Sequence, residues 1–151
     1  MTITPFLWFD TQAEEAMNYY LSVFQNGKTT AVHRAGGRVM SVEFELQGQR
    51  FMALNGNRAS QFTDSISFFV NCETQAEIDR LWSALVGDGG AESRCGWLKD
   101  KYGMSWQIIP SSLGRLLSGD GDAARAGRVL NAMLQMQKLD IAALQRASDA
   151  G

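Results

Sequence analysis

Apolar positions along the chain follow two periods, one typical of strands and one typical of helices. The segments 3–9 and 65–71 are short runs of aromatic and β-branched residues, a composition typical of strands. After each run, apolar residues recur at spacings of three and four, which predicts helices over 11–24 and 74–86. The strand-like pattern then returns, and further strands are predicted near 28–34, 38–46 and 49–54 after the first helix and near 91–99 and 104–109 after the second.

A short repeat relates the two halves of this pattern. Thr11-Gln12-Ala13-Glu14 recurs as Thr74-Gln75-Ala76-Glu77, at the start of each predicted helix. Threonine suits an N-cap, and an acid in the first turn interacts favourably with the helix dipole. Each half also ends with Gly-x-x-aromatic, at 48–51 and 103–106. The repeat predicts two βαβββ modules, module one at 1–60 and module two at 61–110.

The remaining segment, 111–151, has a helical pattern and forms a C-terminal helical extension. Asp122 and Asp140 are each predicted to cap a helix, and the first of these helices carries its apolar residues on one side, at Ala126, Val129, Leu130, Met133 and Met136. A lone exposed helix would not leave that much apolar surface in water. We therefore expect this helix to cover its own sheet or a second subunit. Symmetric homodimers are the commonest closed assembly, so we expect a homodimer.

Composition narrows the class of protein. The 151 residues are 45% apolar and 20% charged, which fits a globular domain. A net charge of −2 with 14 scattered basic residues argues against a nucleic-acid partner. No window approaches the ~20 apolar residues of a spanning helix, so we expect no membrane segment and no signal peptide. Cys72 and Cys95 then predict reduced thiols and a cytoplasmic location.

Four stretches of the sequence resemble a known family. "LWFDTQAEEAMNYYLSVF", "SISFFVNCETQAEIDRLW", "CGWLKDKYGMSWQIIP" and "NAMLQMQKLDIAAL" are similar to the PhnB-like (demethylubiquinone methyltransferase-like) branch of the vicinal oxygen chelate superfamily. That superfamily includes glyoxalases, extradiol dioxygenases and bleomycin-resistance proteins. The resemblance implies an α+β fold. Its paired βαβββ modules would form a cupped mixed sheet or barrel within a single domain over 1–151, followed by C-terminal helices.

Enzymes of this superfamily commonly hold a divalent metal with His, Glu or Gln at four positions, two in each module. The resemblance carries these positions onto Thr4, Met52, Ser65 and Gln107. Gln107 stands where glyoxalase-type enzymes have a glutamate ligand, but the other three offer two hydroxyls and a thioether. Nickel, iron and zinc prefer imidazole or carboxylate ligands. We therefore expect no metal ion and no other cofactor.

Strand parity predicts which residues line a cavity. One parity is uniformly apolar and is expected to face the helices, and it includes Leu7, Val42 and Ile66. The opposite parity mixes aromatic and polar residues, as small-molecule sites do. The predicted ligand-binding residues of this parity are Phe6, Trp8, Glu43, Ser65, Ser67, Trp97 and Gln107.

Several of these residues have a second interpretation. Trp8 and Trp97 could fill a closed barrel instead of contacting a ligand. Glu43 could be a general base if burial raised its pKa, or it could be a solvated or salt-bridged glutamate. Cys95 could be a nucleophile, but the single histidine, His33, lies in a polar stretch and is expected at the surface.

The favoured function is binding of a small organic ligand without a metal, and the sequence leaves open whether turnover occurs. A metal-dependent glyoxalase or dioxygenase would need the missing ligands. A methyltransferase would need a Gly-rich loop between a strand and a helix for its methyl donor, and the sequence has none in either module. Sequestration of a cationic drug, as in bleomycin resistance, would need acids in the cavity, where Glu43 and Glu45 are the obvious ones.

Overall fold

The computed structural model describes Met1–Ala150, which form two compact units, Met1–Gln61 and Phe62 onward. Each unit contains one βαβββ module, and the second also contains the C-terminal helices. The predicted α+β class, with two repeated modules, is confirmed.

The first unit is a four-stranded mixed sheet with a helix on one face. Its elements are β1 (Phe6–Phe9), α1 (Ala13–Val23), β2 (Lys28–Ala35), β3 (Arg38–Leu46) and β4 (Gln49–Asn55). The strand order is β1-β4-β3-β2, and β1 and β4 are the parallel pair. Every second residue of the strands is buried against α1. The helix contributes Ala16, Met17 and Tyr20 to this core. The buried strand residues are Leu7, Phe9, Val42, Phe44, Leu46, Phe51 and Ala53.

The second unit repeats this arrangement. It consists of β5 (Phe68–Cys72), α2 (Gln75–Val86), β6 (Ala91–Glu92), β7 (Trp97–Lys99) and β8 (Ser105–Pro110), in the order β5-β8-β7-β6 with β5 parallel to β8. The buried residues of α2 are Ile78, Leu81, Trp82 and Leu85, and those of the strands beneath include Leu98, Trp106 and Ile108. The two sheets therefore share one topology.

Three predictions about the first strand and helix of the modules are wrong. The strands expected from residues 3 and 65 begin later, at Phe6 and Phe68. Ile66 therefore lies before β5, outside the paired strand, and is 66% exposed instead of facing α2. Thr11 is not an N-cap: Gln12 takes that position without a side-chain bond, because Asn55 Oδ1 at the end of β4 accepts the Ala13 N–H at 2.8 Å.

Thr74 does cap its helix, as predicted. Its side chain accepts the Glu77 N–H at 3.2 Å, and the Glu77 carboxylate accepts the Thr74 N–H at 3.1 Å. This reciprocal pair is a complete capping box. The same tetrapeptide therefore begins its helix in two different ways.

The extension consists of α3 (Leu113–Ser118), a 3-10 turn (Gly119–Gly121), α4 (Ala123–Leu134) and α5 (Ile141–Asp149). The predicted caps are confirmed: Asp122 Oδ1 accepts from the Ala124 and Arg125 N–H groups, and Asp140 Oδ1 accepts from Ala143 N–H at 2.8 Å. The cluster that joins the extension to the end of β8 contains Ile109, Leu113, Leu116, Val129, Leu139 and Leu144. None of the helices within Met1–Ala150 is long and apolar enough to cross a membrane.

Candidate functional site

The first sheet has one face covered by α1 and one open face, which we call face one. Strand register puts its side chains in rows across the sheet: Phe6 beside Met52 and Glu43, and Trp8 beside Leu54 and Ser41. His33 on β2 continues the second row, opposite Ser41. Phe6 and Trp8 are 51% and 37% exposed, which is high for large aromatic residues in a sheet. Face one therefore offers aromatic surface beside polar groups.

Trp8 is held by the loop that follows β4. Its Nε1–H donates to the Arg58 carbonyl at 3.0 Å, and the Arg58 guanidinium carbon lies 5.8 Å from the ring centroid, within cation–π range. The ring rests against Gly56, where any side chain would collide with it. The indole is therefore fixed in one orientation on face one.

Glu43 is an ion-paired carboxylate at the centre of face one. One oxygen lies 3.5 Å from His33 Nε2, and the other accepts from Arg50 Nη2 at 3.2 Å. Its neighbour on β3, Glu45, lies 3.5 Å from Lys28 Nζ. His33 is exposed, as expected, and it lies beside this carboxylate. The geometry therefore supports the interpretation of Glu43 as a salt-bridged glutamate.

The second sheet also has an open face, opposite α2, which we call face two. At its centre Gln107 on β8 lies between Phe69 on β5 and Trp97 on β7 in the strand register. Gln107 Nε2 donates to Ser67 Oγ at 2.9 Å. Phe69 is 55% exposed, and Trp97 is partly buried. Three of the predicted residues, Ser67, Trp97 and Gln107, are therefore brought together here.

An ion pair borders this group on face two. Asp64 Oδ1 accepts from Ser105 Oγ at 2.8 Å and lies 3.1 Å from Lys99 Nζ. The hydrogen bond from Ser105, together with Lys99, holds the pKa of Asp64 below its usual value. Ser65, the next residue, is exposed in the turn before β5 and its N–H donates to Thr63 Oγ1 at 3.2 Å. Ser65 is therefore at the margin of face two and not on a strand.

The four positions implied for a metal do not provide a suitable set of ligands. The first unit offers the Thr4 hydroxyl and the Met52 thioether, and the second offers the Ser65 hydroxyl and the Gln107 amide, which already bonds to Ser67. Neither pair includes the imidazole or carboxylate that a transition metal prefers. Among Met1–Ala150 there is also no cluster of three His, Cys, Asp or Glu that could hold a metal ion.

Comparison with known protein families shows which family this chain belongs to. The model of the family described as 3-demethylubiquinone-9 3-methyltransferase matches residues 1–109. The chain belongs to this family. The matched residues include both modules and end before the C-terminal extension. Faces one and two therefore lie within the matched part of the chain, and α3, α4 and α5 lie outside it. The predicted PhnB-like relationship is confirmed.

Solved structures agree with this family assignment. The PhnB protein from Bacillus cereus is 35% identical, with a TM-score of 0.68, and the alignment covers 74% of this chain and 100% of that one. A Pseudomonas aeruginosa protein is 20% identical, with a TM-score of 0.60 and coverage of 73% and 97%. A glyoxalase/bleomycin resistance protein from Albidiferax ferrireducens is 9% identical, with a TM-score of 0.52 and coverage of 73% and 98%. The last two share the fold. No curated protein gave a significant match.

Some polar residues of the two faces were not among the predicted site residues. Arg50 could have been found, because it is two residues before Met52 on β4 and therefore points to the same face of the sheet, face one. Arg58 and Asp64 lie in loops, where no periodicity indicates which way a side chain points. Their contacts with Trp8 and Ser105 depend on the folded chain.

Proposed function

We propose that this chain binds a small organic ligand, without a metal ion, at the open faces of its sheets. The supporting observation is the exposure of Phe6, Trp8 and Phe69 at 51%, 37% and 55%, on sheet faces that also carry polar groups. Sites for small molecules combine apolar and aromatic surface with a few polar groups in this way. The proposed binding residues are Phe6, Trp8, Glu43, Ser65, Ser67, Trp97 and Gln107.

A ligand that covers these exposed aromatic rings would gain a substantial binding free energy. An aromatic side chain buries 150–250 Å² at most, so covering the exposed half of one ring removes roughly 75–125 Å² from water. At about 25 cal/mol per Å² this contributes about 2–3 kcal/mol for each ring. A ligand that covers one such ring and forms one or two hydrogen bonds can therefore bind with useful affinity.

The family description names a methyltransferase, but the chain's own residues favour binding over methyl transfer. The connections from strand to helix, 10–12 and 73–74, contain no glycine. Gly-rich turns at this place let a backbone approach a nucleotide cofactor closely. A metal-dependent reaction is disfavoured by the ligand chemistry of Thr4, Met52, Ser65 and Gln107. Glu43 and Glu45 already have cationic partners, which disfavours sequestration of a cationic drug.

The test is a search for bound molecules. Native mass spectrometry of protein purified from cells should reveal an organic adduct, and the released compound should quench or enhance tryptophan fluorescence when it is added back. Trp97→Ala should weaken binding several-fold, since an aromatic contact contributes about 0.5–1.5 kcal/mol beyond its buried area. Unchanged binding in Trp97→Ala and in Trp8→Ala, with both variants folded, would contradict the proposal.

We also propose a homodimer located in the cytoplasm. Support for the dimer comes from Leu130 and Leu134, one turn apart on α4 and 43% and 47% exposed. Support for the location comes from Cys72 and Cys95, which are both free thiols.

A further inference from the structure

The centre of face two has an unusual order of residues. Phe69, Gln107 and Trp97 lie side by side on three neighbouring strands, so that an amide stands between two aromatic rings. We call this set the Phe69–Gln107–Trp97 row. Neighbouring strands are about 4.8 Å apart, so β5 and β7 are separated by roughly 9–10 Å. A planar ring over Gln107 would then have its centre about 5 Å from each flanking side chain, which is a favourable separation for aromatic pairs.

The amide of Gln107 has a fixed orientation and one unused acceptor. Its Nε2 donates to Ser67 Oγ at 2.9 Å, while its Oε1 accepts no hydrogen bond from any residue in the described part of the chain. The indole N–H of Trp97 likewise has no acceptor within Met1–Ala150. No buried side-chain nitrogen or oxygen of the described residues lacks a partner, so both atoms reach solvent. The row thus contains one acceptor and one donor that are free to bond to a ligand.

Charges around the row are already balanced. Lys99 is two residues beyond Trp97 on the same face, and it is paired with Asp64 at 3.1 Å. Ser105, two residues before Gln107, donates to the same carboxylate. On the other side of Gln107, Ile109 packs into the apolar cluster with Leu139 of the extension. A charged ligand would have to compete with the existing Lys99–Asp64 ion pair, whereas a neutral ligand would leave it intact.

The backbone that leads into Trp97 is held in place by hydrogen bonds to the C-terminal extension. The Cys95 and Gly96 N–H groups each donate at 2.8 Å to backbone carbonyls of Met136 and Gln137. The Ile108 N–H donates to the Gly96 carbonyl, also at 2.8 Å. The backbone immediately before Trp97 is therefore fixed on two sides. This limits the reorganisation that ligand binding would require.

We propose that the Phe69–Gln107–Trp97 row binds a neutral planar ring that carries a hydrogen-bond donor beside an acceptor, as in a lactam. The donor bonds to Gln107 Oε1, the acceptor takes the Trp97 indole N–H, and the ring lies between Phe69 and Trp97. The proposal rests on the proposed ligand-binding function and gives it a chemical class and a position.

The experiment compares three bicyclic probes of similar shape. 2-Quinolone has both the donor and the acceptor, 1-methyl-2-quinolone lacks the donor, and quinoline-2-carboxylate is an anion. Dissociation constants are measured by NMR titration, using the indole N–H signals and the side-chain amide signal of Gln107. We expect 2-quinolone to shift the Trp97 and Gln107 signals. It should bind about five-fold more tightly than its methyl derivative, the equivalent of one neutral hydrogen bond. The carboxylate should bind more weakly than both.

Two variants separate the contacts. Gln107→Leu keeps the side-chain bulk and removes the acceptor, so the two quinolones should then bind equally. Trp97→Phe keeps a ring and removes the N–H, so both quinolones should bind more weakly by a similar factor. Gln49→Leu is the control, because Gln49 is an exposed glutamine on the first sheet that bonds to the Arg50 carbonyl. It should leave every constant unchanged. Thermal unfolding verifies that each variant is folded.

The outcomes distinguish this proposal from the broader one. Equal binding of the two quinolones to the unaltered protein, shifts confined to the Trp8 signal, or an unchanged preference in Gln107→Leu would overturn the assignment to the row. Those results would still be compatible with ligand binding at another place on the two faces. Failure of all three probes at millimolar concentration also overturns it, whereas the proposed function is then judged separately by the molecules found in native mass spectrometry.

Discussion

The indole of Trp8 lies directly against the backbone of Gly56: a Cβ built on Gly56 would be 2.0 Å from Trp8 Cζ2. The nearest atoms around this Cβ all belong to the indole, so the contact is specific to Trp8. Gly56 is not among the glycines with positive φ, and a side chain there would strain the ring contact rather than the backbone. Gly56 thus positions an aromatic ring of face one.

Gly56→Ala should displace the Trp8 indole and break its hydrogen bond to the Arg58 carbonyl. We expect the Trp8 indole N–H resonance to move and stability to fall by about 1–3 kcal/mol, as in other overpacked sites. Gly127→Ala is the control, because Gly127 lies in α4 with nothing within 4 Å of its added Cβ. That change should stabilise the protein by about 0.5–1 kcal/mol. An unmoved Trp8 resonance in Gly56→Ala would be inconsistent with this geometry.

Periodicity and the internal repeat predicted both modules because each strand and helix buries one regular set of positions. The sequence was less informative where a tertiary contact replaces a local one. Thr11 and Thr74 begin the same tetrapeptide, yet Asn55 from a distant strand satisfies the start of α1. Parity likewise indicated Phe6, Trp8 and Gln107 as open-face residues. It carries no information on Arg58 or Asp64, which lie in loops.

The two threonines of the repeat give an internal test of capping. Thr74→Ala removes a side chain that accepts the Glu77 N–H, and it should destabilise the protein by about 1 kcal/mol. Thr11→Ala removes no cap and should change the free energy of unfolding by less than about 0.5 kcal/mol, the usual range for a surface position. Urea unfolding of both variants measures the difference. Equal losses would show that the capping box contributes nothing specific.

Cys72 should be almost unreactive in the folded protein. Burial, together with the nearby Glu77 carboxylate, raises the pKa of its thiol to about 11. The thiolate is the reactive form, so iodoacetamide at pH 8 should label Cys72 in the native state far more slowly than in urea. Mass spectrometry of digested peptides measures this labelling. Fast native labelling at Cys72 would contradict its burial.

The same shift has a consequence for stability in alkaline solution. The Cys72 thiol has its ordinary pKa of 9.0 in the unfolded chain, and burial raises this pKa to about 11 in the folded one. The unfolded state therefore loses this proton first, and the stability that depends on Cys72 is complete below pH 9 and declines between pH 9 and pH 11. Cys72→Ala should show a weaker decline over this interval, which urea unfolding at several pH values would detect.

Purified protein should contain no stoichiometric nickel, zinc or iron. The hydroxyls of Thr4 and Ser65, the thioether of Met52 and the amide of Gln107 are poor ligands for these ions. Elemental analysis after dialysis gives the measurement, and Gln107→Ala is the matched variant. One metal per chain that disappears in Gln107→Ala would refute the expectation.

The exposed stripe of α4 provides the test of the homodimer. Leu130 and Leu134 are exposed on one side of the helix, whereas Val129 is fully buried in the cluster with α3 and α5. If a second subunit covers the stripe, the combined change of Leu130→Lys and Leu134→Lys should convert a dimer to a monomer, because two charges would be buried without partners. Asn131→Lys, an exposed position on the same helix, should leave the assembly unchanged. Sedimentation velocity at micromolar concentration distinguishes the results: a monomeric unaltered protein would refute the dimer, and a dimer that survives both leucine changes would mean that the subunits meet at another surface.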